Sequence, residues 1–232
     1  MYFNAVWIGG ALTLALSLPS YSAIAIESTC YGSKSNGRLE NGVQLPLQGK
    51  NFSPYSTLAP HLGRTYVHTK VHDVVVAAYH ALELAAPGKT FVYGETGRKL
   101  GGRFPPHRTH QNGLSVDFMV PVLDEDGRSV PLPTGLVNRF GYDIEFDTDG
   151  KYMNYTIDFE AIAEHLYHLH VAAQARGIGL DRVIFDPRYL SRLLRTRRGT
   201  FLKEYVSFMR GKAWVRHDEH YHVDFAVTCK SL

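Results

Sequence analysis

Apolar positions recur at helical spacing from Thr69 to Ala86, at Val71, Val74, Val75, Ala78, Leu82 and Ala85, and Pro87-Gly88 ends the run. A clearer helix spans Phe159 to Gly177, with Ile162, Leu166, Leu169 and Ala173 on one face and Gly177 and Gly179 as its stop. Strand patterns occupy Thr90 to Tyr93, Arg182 to Phe185 and Tyr221 to Val227. Leu114 to Val120 alternates and then becomes wholly apolar, which marks a central strand. Pro187 to Arg195 reads as a short helix. Residues 30–64 are rich in Gly, Asn, Ser and Pro and predict an extended, looping arm. Residues 123–158 hold turns at Asp124-Glu125-Asp126-Gly127 and Asp147-Thr148-Asp149-Gly150, between short extended pieces such as Tyr142 to Phe146. Helices and strands mix without regular alternation and without repeats. The expected class is α+β: an antiparallel central sheet flanked by helices.

The N-terminus follows a different pattern. Ala5 to Leu18 is apolar, the first charged residue is Glu27, and Ala23-Ile24-Ala25 places small residues where a signal peptidase reads. The apolar run falls short of the ~20 residues of a membrane span. Residues 1–25 are expected to be a cleaved secretory signal, although no Lys or Arg opens it. Residues 26–232 then form one domain with its own core. No stable membrane insertion is expected after cleavage. The formal charge of +3 is too small to argue for nucleic acid. Two cysteines, Cys30 and Cys229, stand near the ends of the exported chain, and such a pair reads as a disulfide.

Candidate chemistry comes from two histidine clusters. One runs His110-Gln111-Asn112-Gly113-Leu114-Ser115-Val116-Asp117, and the other His217-Asp218-Glu219-His220-Tyr221-His222. A His, an Asp seven residues on and a distant His-x-His form the ligand set of a catalytic zinc site, with one position left for water. His220 and His222 are two apart on a strand and share a face. Asp117 lies on the other central strand, and Gly113 lets the loop carrying His110 bend back. His220 or His217 remains as a base for water, and a second imidazole would steady the oxyanion. Asp224 either orients a ligand or forms a surface salt bridge. Tyr221 points away and packs. His61, His68, His72, His80, His165, His168 and His170 are read as ordinary surface or core residues. Arg192, Arg195, Arg197, Arg198 and Lys203 form a basic run, read as a solvated helix face or a contact for anionic wall polymer.

At these residues the chain resembles the penicillin-insensitive murein endopeptidases, within the wider lysostaphin, D-Ala-D-Ala metallopeptidase and hedgehog-like zinc group. The resemblance rests on Cys30-Tyr31-Gly32-Ser33 with Asn41-Gly42 and Leu45-Pro46, and on Gly101-Gly102 before His107-Arg108-Thr109-His110-Gln111. It continues through Gly113 to Asp117, Arg182 to Pro187, and His217 to His222 with Cys229 after it. It implies that His110, Asp117 and His222 bind Zn2+, that His220 is the general base with His217 close by, and that His107 lines the site. It implies a periplasmic enzyme that cuts peptidoglycan cross-links of the D-Ala to meso-diaminopimelate type. Segment 121–158 resembles the family least. Two rival readings stand beside it: a D,D-carboxypeptidase gripping a terminal carboxylate with Arg103 or Arg108, and a catalytically silent zinc module that binds wall or protein.

Overall fold

The computed structural model describes Met1, residues 26–211, Ala213 and residues 215–232. The expected export signal, residues 1–25, lies outside the described residues apart from Met1. In chain order the elements begin with β1 (Thr29–Ser33), β2 (Asn36–Glu40), β3 (Val43–Gln44), β4 (Phe52–Pro54), β5 (Tyr66–Val67), α1 (Thr69–Ala85), β6 (Phe91–Tyr93) and β7 (Ser115–Met119). Then come β8 (Val122–Leu123), β9 (Ser129–Val130), a 3-10 segment (Leu136–Gly141), β10 (Lys151–Tyr152) and β11 (Tyr155–Ile157). The chain ends with α2 (Phe159–Gln174), β12 (Gly179–Ile184), α3 (Pro187–Leu193), α4 (Gly199–Tyr205) and β13 (His220–Ala226). No described helix is long and apolar enough to cross a membrane.

The central sheet has the order β12-β13-β7-β6-β4, so β7 is its middle strand, as its apolar pattern requires. All neighbours are antiparallel except the edge pair β4 and β6. In the β7–β13 ladder Asp117 stands opposite His222, and Phe118 opposite Tyr221. Side chains alternate along a strand, so this register sends the two sets to opposite faces. Phe118 and Tyr221 stack at 5.6 Å and meet His165 of α2. Tyr79 of α1 stacks on the same imidazole at 5.0 Å. Both long helices therefore cover one face of the sheet, and the other face is left for chemistry. The side chain of Asp158 caps α2 by accepting from the Ala161 N–H, and His68 does the same for α1 with Lys70.

Three expectations need correction. Residues 30–64 are not a looping arm throughout. They contain the β1–β2 hairpin, two further strands and buried Leu39 and Leu45. In β2, Gly37 and Leu39 face in while Arg38 and Glu40 face out, a period-2 signal too short to stand out among turn residues. Tyr142 to Phe146 is not an extended strand: Tyr142 and Asp143 form a turn directly after the 3-10 segment. The basic run is divided between roles, because α4 begins inside it. Arg197 and Arg198 converge on the buried carboxylate of Glu164, and Arg192 pairs with Asp149. Cys30 and Cys229 form a disulfide.

Candidate metal centre

Asp117, fully buried on β7, is the hub of the open face. Its Oδ1 lies 2.9 Å from Nδ1 of His222 and 3.3 Å from Nε2 of His110. Its Oδ2 lies 3.0 Å from the Tyr142 hydroxyl, 3.7 Å from Nδ1 of His107 and 3.9 Å from Nε2 of His220. The strand register supplies Asp117 and His222. A sharply turned loop supplies His110, which itself has a φ of 67°. Gly113 has a φ of +77°, and a Cβ there would stand 2.8 Å from the His68 backbone nitrogen. Only glycine tolerates both conditions.

The protons around Asp117 are informative. His110 Nδ1 lies 3.0 Å from the Thr96 carbonyl, which can only accept, so Nδ1 carries the hydrogen. Burial lowers the pKa of His110 and keeps the ring neutral, so Nε2 is a bare lone pair, buried and without a hydrogen-bond partner, aimed at a carboxylate oxygen. Two acceptors facing each other in a dry pocket repel unless a cation sits between them. Ligand atoms on a tetrahedral ion with bonds of about 2.0–2.1 Å stand roughly 3.3 Å apart, close to what is seen. His222 completes the pattern. Its Nδ1 faces Asp117 and its Nε2 faces Asp224 Oδ1, each at 2.9 Å. Burial alone would lower its pKa, but the charge of Asp224 and the bonds to both carboxylates raise it to about 9. A cation at Nδ1 would replace one of those protons. Asp224 is buried, not a surface residue, and is fixed by the Ser115 hydroxyl and Arg182.

His107, His110 and Asp117 also form a metal-capable group, with ligand atoms within 4.8 Å of one another. His222 is the better third ligand on geometry. It faces the same carboxylate oxygen as His110, whereas His107 faces the other oxygen and gives Nε2 to Glu95 at 2.5 Å. Glu95 also receives Arg64 and the Tyr55 hydroxyl. Burial would raise this carboxyl, but His107 and Arg64 overcome that and hold it at about 2.

His107, Asp117, His217, His220 and His222 line one cleft of about 1300 Å³, with His110 buried behind them. Nδ1 of His220 lies 2.8 Å from Glu219 Oε1, where its N–H donates to that oxygen, and Nε2 faces Asp117. Burial pushes His220 down to about 4 and His217 down to about 3, so both are neutral bases. His217 stands with its ring 4.6 Å from His220 and donates Nδ1–H to the Val215 carbonyl. All six residues singled out from sequence thus meet at one place. Tyr142 and Glu95 did not figure among them. Tyr142 lies in an irregular segment, and only tertiary folding brings it to Asp117. Glu95, one residue beyond Gly94 at the end of β6, had only the faint signal of an acid closing an apolar strand.

A family model described as penicillin-insensitive murein endopeptidase matches residues 30–231. Comparison with curated proteins finds no match.

Proposed function

The chain belongs to the penicillin-insensitive murein endopeptidase family, and on that footing we propose that it is a zinc-dependent peptidoglycan endopeptidase cutting cross-links of the D-Ala to meso-diaminopimelate type. The observation that carries the metal is the buried, unpartnered Nε2 of His110 facing the Asp117 oxygen that His222 also faces. Three groups would hold zinc: His110 through Nε2, Asp117 through Oδ1 and His222 through Nδ1. A nitrogen and oxygen set without thiolate suits a catalytic ion. When bound, the ion supplies Lewis acidity to the scissile carbonyl and makes water acidic enough to ionise near neutral pH.

The remaining work falls to the protein. Asp224 fixes the ring of His222 through Nε2, and Tyr142 fixes Asp117 through Oδ2. His220, held at Nδ1 by Glu219, accepts the proton of the attacking water at Nε2 and returns it to the leaving amine. His217 has its Nδ1–H committed to a carbonyl, so donating to an oxyanion would require a second, buried charge. It serves instead as a neutral wall of the site beside His220. Cleavage of wall peptide places the enzyme in the periplasm, with residues 1–25 as its export signal.

The test uses purified cross-linked muropeptide dimers. Chelation should abolish their conversion to monomers and zinc should restore it; hydrolysis that survives complete metal removal defeats the mechanism. Release of free D-Ala from monomers, with dimers left intact, would make it a carboxypeptidase. His220→Ala should bind zinc normally yet lose about 10²–10⁴-fold in turnover. Near-normal turnover in that variant would reassign the base.

A further inference from the structure

We infer that the segment Arg98–Arg108, one lip of the cleft, is a carboxylate-binding surface for the substrate's stem peptide. The inference rests on the endopeptidase reading for the identity of that peptide, and on local charge and geometry for the rest.

The segment reads Arg98-Lys99-Leu100-Gly101-Gly102-Arg103-Phe104-Pro105-Pro106-His107-Arg108, and no Asp or Glu occurs between Glu95 and Asp117. Arg98, Lys99, Arg103 and Arg108 are all exposed. Among the described residues, none of the four has a carboxylate within ion-pair distance, whereas Arg139, Arg188 and Arg216 of the cleft lining are each paired with an acid. Charged neighbours packed under the lip are already neutralised: Arg38 by Glu40, and Arg64 by Glu95.

The lip is also tied down by backbone bonds. Gly101 bonds back to Arg98, Gly102 bonds to the carbonyls of Gly37 and Gln111, and the Leu100 carbonyl takes the Leu39 N–H. Phe104 is buried under the Arg64 guanidinium, 4.2 Å from its ring centre. Four like charges within eleven residues, with no acid among them, carry a self-repulsion that an anionic ligand relieves. Its position is set by its own residues, because Pro106, His107 and Thr109 line the cleft beside Asp117.

The chemistry of the proposed substrate supplies such anions. Diaminopimelate has two amines and two carboxyls. In the cross-link one carboxyl stays free, on the carbon that bears the scissile nitrogen. Arg108, set between His107 and Thr109 of the cleft lining, and Arg103 in the same segment offer guanidinium groups that match that carboxylate. A terminal carboxylate is not required, so the surface suits an endopeptidase.

The experiment compares Arg103→Gln/Arg108→Gln with wild type, on a cross-linked dimer and on the same dimer with its diaminopimelate carboxyl amidated. The double variant should raise KM for the free-acid dimer by about tenfold or more while kcat stays within twofold, and should leave the amidated dimer unchanged. Neutralising Arg195 and Lys203 should change neither. Equal loss on both dimers, or no loss on either, overturns the inference. Equilibrium binding of the uncross-linked stem peptide to each protein gives a second measurement independent of turnover. Weaker binding in the double variant supports the lip even if wild type proves unable to cut dimers, a result that would count against the endopeptidase reading alone. Unchanged binding removes the lip whatever the activity.

Discussion

Asp117 has two oxygens with different tasks, and Tyr142 keeps them apart. Its hydroxyl donates to Oδ2 at 3.0 Å and accepts the Glu95 N–H at 3.0 Å, so its orientation is fixed from both sides. Gly94 makes room for this, since a Cβ there would stand 2.9 Å from the Tyr142 oxygen. With Oδ2 occupied, Oδ1 is left to face His110 and His222. Tyr142→Phe removes the donor and leaves a buried carboxylate oxygen short of a partner. Partners of this kind typically contribute 10–100-fold to metal affinity. Zinc competition against a chromophoric chelator should show a loss of about 10-fold or more in the variant. Unchanged affinity would mean that the strand register alone orients Asp117.

At the scale of elements, the helix layer packs on the two strands that carry the site through a buried imidazole. His165 of α2 sits between Tyr79, Phe118 and Tyr221, with Nδ1 2.5 Å from the Tyr221 hydroxyl. Burial pushes its pKa down to about 3, so it is neutral in the folded protein. The unfolded chain takes up a proton at His165 near pH 6.5, and the folded one does not until far lower pH. Stability at this residue is therefore intact above pH 6.5 and is lost as pH falls from there toward 3. Between pH 7 and pH 5 the loss comes to about 2 kcal/mol. His165→Phe should abolish that share, so denaturant titrations at the two pH values should differ by about 2 kcal/mol less than in wild type. The slope is the readout, because the variant also strands the Tyr221 hydroxyl. Identical slopes would show that His165 is already hydrated in the native state.

The same elements show what could be read from the chain. The two long helices, β7 and β13 were legible because each repeats its period over enough residues, and the His-x-His on β13 carried its chemistry with it. The β1–β2 hairpin was not, since two of the five positions of β2 are buried and its flanks are turn residues. Tyr142 was illegible for a different reason: its backbone follows Arg139 and Phe140, both at positive φ, a conformation no propensity anticipates. Its partner lies 25 residues away.

The whole molecule is closed by one covalent bond outside the central sheet. Cys30 of β1 and Cys229 beyond β13 are 199 residues apart in sequence. On the chain-entropy account a loop of that length is worth about 5 kcal/mol of stability. At roughly 2–4 °C per kcal/mol for a chain of this size, Cys30→Ala/Cys229→Ala should melt about 10–20 °C lower. The metal site should respond differently. Its ligands are placed by the β7–β13 ladder and by the bond from His110 to the Thr96 carbonyl, none of which passes through the disulfide. The hairpin and its disulfide do touch the His110 loop, where the Gln111 N–H meets the Lys34 carbonyl and Asn112 donates to Cys229 Sγ, but neither bond is made to a ligand residue. Well below its melting point the variant should therefore keep its zinc affinity within about threefold, a difference of less than 1 kcal/mol. A tenfold loss would instead make the hairpin, held by its disulfide, the element that sets the position of His110.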